Sequence, residues 1–69
     1  MKTKTLSLQD VKRLYPAAYA QLIDGFDSDE DLESTDIELY VNGGVLYSRS
    51  RDEGGENVWD VDDNTWYDV

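Results

Sequence analysis

Apolar positions in the first third of the chain recur at steps of three and four: Leu8, Val11, Tyr15, Ala18, Leu22 and Phe26. That spacing places them on one face of a helix. Ser7 followed by Asp10 predicts a capping box at the start of this run. Pro16 interrupts it. A proline inside a helix removes a hydrogen bond and clashes with the preceding turn, but it suits the first position of a new helix. The pattern therefore predicts a short helix over 7–15 and a second over 16–24, with one kinked helix as the alternative, and Gly25 as the C-cap.

Residues 27–36, DSDEDLESTD, hold no comparable period, and their dense like charge predicts a solvated acidic linker. The period then changes to two. DIELYV and VLYSRS flank Asn42-Gly43-Gly44, a hairpin signal because both turn residues need positive φ. NVWDV and WYDV flank Asp62-Asp63-Asn64-Thr65 and predict a second hairpin. The expected fold is one α+β domain over 1–69: a helical segment at 7–25, the linker at 27–36, and two hairpins over 36–69 forming a four-stranded antiparallel meander. Helix is expected only before about residue 27.

Alternation assigns the faces. Ile37, Leu39, Val41 and Leu46 share the face that takes the helices. Trp59, Val61 and Trp66 join them if Val61 pairs opposite Trp66. The other face then carries Asp36, Glu38, Tyr40, Tyr47, Asp60, Asp62 and Tyr67, an aromatic floor ringed with carboxylates.

Charge changes the picture most. Sixteen acidic residues oppose six basic ones, for a net charge of −10 over 69 residues. Lys2, Lys4, Lys12 and Arg13 against Asp10 leave residues 1–23 at +3, whereas Arg49 and Arg51 against fifteen acids leave residues 24–69 at −13. Such a field repels nucleic acids and anionic membranes and attracts basic surfaces. The aromatic residues would suit base stacking, but single-strand binders set their aromatics in a basic groove, so direct nucleic-acid binding fails on sign. No apolar stretch is long enough to span a bilayer, and none of signal-peptide length follows Lys2 and Lys4, so a cytoplasmic location is expected.

The chain has neither cysteine nor histidine, which removes disulfides, thiolate metal sites and the commonest general base. Asp60 and Asp62 form a carboxylate pair, but beside a tight turn on an open sheet no cleft would perturb them, so no enzymatic activity is expected. Asp27, Asp29, Asp31 and Glu38 occupy the first, third, fifth and twelfth places of an EF-hand-like window. Leu32 stands where the loop needs glycine for its sharp turn, Ser34 where a branched apolar residue belongs, and a strand follows where a helix should. The expectation is no metal site and no cofactor, with a calcium module as the alternative.

Carboxylates can also stand in for phosphates. Phosphates recur about every 3.4 Å along one DNA strand, and carboxylates two apart on a β-strand lie about 6.7 Å apart and point the same way. Asp36/Glu38 and Asp60/Asp62 have that spacing, and the linker adds Asp27, Asp29, Glu30, Asp31 and Glu33. The short chain, the absent cysteine and the acid-rich hairpins, VWDVDDNTWYDV above all, resemble the small phage-encoded inhibitors of host defence, namely DNA-mimicking antirestriction proteins and anti-CRISPR proteins. That resemblance implies an inhibitor acting in a bacterial host cell. Its partner would be a positively charged nucleic-acid-binding protein or complex whose DNA site it occupies. The expected contact residues are Asp27, Asp29, Glu30, Asp31, Glu33, Asp36, Glu38, Asp60, Asp62 and Asp63, with Tyr40, Tyr47 and Tyr67 as rigid anchors. An antitoxin-like neutraliser of a basic protein uses the same acid-against-base contact and remains open.

Overall fold

The computed structural model describes residues 3–51 and 54–69. β1 (Thr3–Leu6) is followed by α1 (Leu8–Leu14), α2 (Pro16–Ile23) and α3 (Asp29–Glu33). Four further strands follow: β2 (Ile37–Asn42), β3 (Val45–Ser50), β4 (Glu56–Asp60) and β5 (Thr65–Asp68). The strands form one antiparallel sheet in the order β1-β2-β3-β4-β5. The architecture is α+β as expected, with five strands rather than four and a third helix after residue 27.

The helix starts follow from their caps. The Ser7 hydroxyl accepts the Asp10 amide at 3.1 Å, and the Asp10 carboxylate accepts the Ser7 amide at 3.4 Å, closing the predicted capping box. Tyr15 leaves helical geometry with ψ of 66°, and Pro16 then opens α2. The two-helix reading therefore holds over the single kinked helix. Gly25, with φ of 99°, lies one residue beyond the C-cap Asp24 and turns the chain out of α2. Phe26 falls outside the helical face and is 37% exposed.

The acidic linker is corrected by α3. Ser28 caps this helix, its hydroxyl accepting the Asp31 amide at 3.3 Å. Asp29, Glu30 and Asp31 then stand in its first turn, where the helix dipole favours negative charge. Leu32, expected in a solvated loop, is 1% exposed and is one of the largest fully buried side chains. Its burial offsets the repulsion among its neighbours. β1 was not expected at all. It contributes a single buried residue, Leu6, and pairs with β2 from Thr3↔Asn42 to Leu6↔Leu39.

The core joins Leu6, Leu8, Val11, Ala18, Leu32, Leu39, Leu46 and Trp59 between the helices and one face of the sheet. The β2–β3 hairpin closes on Gly43 and Gly44, both at positive φ, 62° and 80°. The second hairpin departs from expectation: Trp59 pairs with Trp66, and Val61 lies in the turn, 74% exposed. The cause is Asp60, whose Oδ1 accepts the amides of Asp62 and Asp63 at 2.9 and 3.2 Å and starts the turn early. The shift is two residues, so both tryptophans still face the helices. They meet edge to face at 5.4 Å, and the Trp66 indole donates to the Ala18 carbonyl at 3.2 Å.

A candidate acidic and aromatic interface

The helices cover one face of the sheet and leave the other open. Register places Thr5, Tyr40, Tyr47, Val58 and Tyr67 in one row across that open face, each opposite the next. Tyr40 and Tyr47 stack at 5.3 Å with planes 12° apart. The aromatic floor is therefore present, with Tyr67 the most open of the three at 46%.

The carboxylates around it divide into two populations. One is neutralised. Glu38, Arg49 and Glu56 form the adjacent row. Arg49 pairs with Glu38 and stands 5.7 Å from the centre of the Tyr40 ring. Arg51 bridges Asp36 at 3.3 Å and Glu38 at 3.2 Å. Hydrogen bonds from Arg49, then from Arg51, hold the Glu38 carboxyl below its ordinary range. Tyr40 donates its hydroxyl to Glu56, which pushes the phenol up to about 12.

The other population has no cation beside it among the described residues. Asp24, Asp27, Glu30, Asp31 and Glu33 cluster along the end of α2 and along α3, all exposed. Asp60, Asp62 and Asp63 gather at the β4–β5 turn, where Asp63 accepts the Tyr67 hydroxyl at 2.6 Å and raises its pKa. Gln21 ties that turn to the last turn of α2: its side chain donates to the Asn64 carbonyl at 2.7 Å and accepts the Thr65 hydroxyl at 3.2 Å. The β4–β5 turn therefore lies beside the last turn of α2, which Asp24 follows.

Asp29 belongs to neither population. It accepts the Tyr19 hydroxyl, accepts Gln9 Nε2 at 3.5 Å and lies 3.9 Å from Lys12 Nζ. It docks α3 onto α1 and α2, and the bond from Tyr19 raises that phenol.

Neither expected phosphate-like pair is built as an extended pair. Asp36 precedes β2 in a left-handed conformation, φ 57°, and shares Arg51 with Glu38. Asp60 ends β4, and Asp62 lies in the turn beyond it. The EF-hand spacing is likewise broken: Asp29 and Asp31 ride on a helix, and Glu38 is held by two arginines. Among the described residues no group of three or more carboxylates is arranged to hold a metal ion. Among the described residues the two carboxylates with resolved shifts, Asp10 and Glu38, are both lowered, the direction opposite to that of a general acid. No described helix is long and apolar enough to cross a membrane.

Sequence reasoning missed the roles of Asp29, Arg49 and Arg51. The arginines were legible in part, since alternation puts Arg49 on the same face as Tyr47, opposite an acidic strand. Comparison with protein-family models, curated proteins and solved structures finds no match. The functional reading therefore stands on the chain's own geometry.

Proposed function

We propose that this protein is an acidic binding inhibitor that occupies the positively charged, nucleic-acid-binding site of a bacterial defence protein or complex. The observation that supports this most is the uneven neutralisation of charge. Arg49 and Arg51 are spent on Asp36 and Glu38. Glu30, Asp31 and Glu33 of α3 and the carboxylates of the β4–β5 turn are left without cations among the described residues, so the surplus is concentrated rather than spread. Concentrated charge of one sign steers association with the opposite sign and raises its rate. Tyr67 and Tyr47, on either side of Val58 in the row, supply rigid area of the kind that anchors interfaces. The contact is thereby shifted from the expected Asp36/Glu38 flank to α3, the β4–β5 turn and the Tyr67 end of the aromatic row.

The test is displacement. Proteins of a bacterial lysate are bound to immobilised duplex DNA and challenged with this protein, with its Glu30→Gln/Asp31→Asn/Glu33→Gln variant, and with polyglutamate at matched charge. The expected result is release of a narrow set of DNA-binding proteins by the parent and weaker release by the variant. Release of nothing beyond what polyglutamate releases would sink the proposal.

A further inference from the structure

β5 lies at the edge of the sheet, with β4 on one side and no described strand on the other. The Val69 amide donates to the Glu56 carbonyl at 3.0 Å. By antiparallel alternation, the amides of residues 65, 67 and 69 face β4, and those of Trp66 and Asp68 face outward. Sheet edges invite pairing unless charge, proline or a bulge blocks it, lysine above all. The opposite edge, β1, carries Lys4. β5, TWYD, carries neither lysine nor proline; its one charge, Asp68, repels an acidic strand but not a basic one, and Tyr67, Asp68 and Val69 are exposed along it.

Both flanks of this edge are shaped and anionic. On the open face stands Tyr67, bonded to Asp63, with Asp60 beyond it. On the helix side the helices leave a corner of the sheet uncovered, a recess of about 450 Å³ lined by Ile37, Ser48, Asn57 and Asp68 among others. A strand added to β5 would send alternate side chains to these two flanks. Another copy of β5 would oppose acid with acid, and an apolar strand would leave the carboxylates unanswered. A cationic strand satisfies both flanks.

We infer that β5 takes up an extended Lys/Arg-bearing segment of the partner as a sixth strand, with its cationic side chains beside Asp63 on one face and Asp68 on the other. This rests on the acidic-surface reading and gives it a partner of defined shape: an extended basic segment rather than a folded helix.

The probe is a synthetic octapeptide with lysine and threonine in alternating pairs, Lys-Lys-Thr-Thr twice, which sends lysines to both faces of a strand, compared with the same sequence N-methylated at every backbone amide. The two have equal charge, but only the first can pair as a strand. Exchange of the Trp66 and Asp68 amides, followed by NMR, should slow on binding of the first. N-methylation should weaken binding about tenfold, since it removes two or more main-chain hydrogen bonds. Asp68→Pro should bind more weakly than Asp68→Asn, because both lose the charge and only proline also loses the outward amide. Equal binding of both peptides, or protection confined to α3 and the β4–β5 turn, would overturn strand addition and leave the acidic-surface reading standing. No binding of either peptide at low salt would remove both. Concentration-dependent protection of these amides in the protein alone would assign the edge to a second copy of the chain and contradict the inference.

Discussion

Glu38 shows how a single residue can change what a surface offers. Its neighbours in sequence suggest an exposed carboxylate beside Tyr40, yet Arg49 and Arg51 converge on it and the charge is cancelled locally. Its folded pKa is lowered, by the bond from Arg49 first and that from Arg51 second. A lowered carboxylate stabilises the fold above its unfolded value and loses that contribution as pH falls through the folded value. The stability difference between the parent and Glu38→Gln should therefore be largest near neutral pH. It should shrink once pH drops below the ordinary value of 4.5, as read by thermal unfolding at stepped pH. A difference that persists unchanged at pH 2 would show that the arginines do not act through the Glu38 charge. Asp60 makes a related point. Its carboxylate is committed to the turn amides, so charge on that residue is inseparable from the hairpin register.

Among the elements, α3 is the most informative. Five residues are too few for a stable isolated helix. It exists because Leu32 is buried, Ser28 caps it and Asp29 docks it against Lys12 and Tyr19. Leu32→Ala should cost about 2–5 kcal/mol, the range for truncating a buried leucine, a large share of the stability of so small a domain. Denaturant unfolding measures this, and a loss below about 0.5 kcal/mol, the usual limit for surface substitutions, would contradict the packing described.

The same helix shows where the sequence was legible. Ser28 precedes Asp31 by three residues, as Ser7 precedes Asp10, so the start of α3 carries the cap pattern that announced α1. The density of like charge hid it, because repulsion is visible in sequence and the burial of one leucine is not. β1 was hidden differently. TKTL has only one residue that reaches the core, so it shows neither helical nor alternating apolar period. The hairpins were legible because Gly43-Gly44 and the alternation around them are local. The register of the second was not, since it depends on which amides Asp60 captures. Of the candidate site, the tyrosine row followed from period two, whereas the cancellation of Asp36 and Glu38 required knowing the cross-strand partners.

At the scale of the whole molecule, the sheet separates three jobs. One face packs on the helices, the other presents a row of tyrosines, and the β5 edge is left open beside acids that no described cation balances. A domain with a net charge of −10 repels itself as it folds, and the proposed basic partner would relieve that cost at the acids of α3 and of the β4–β5 turn. The most direct measurement is competition. A partner held on the immobilised protein is challenged with duplex DNA across a salt series, alongside the Glu30→Gln/Asp31→Asn/Glu33→Gln variant. The account predicts that DNA elutes the partner, that retention falls steeply as salt screens charges over about 8 Å at physiological ionic strength, and that the variant shows a shallower salt slope. A partner that stays bound in excess DNA, with the same salt slope for parent and variant, would contradict it.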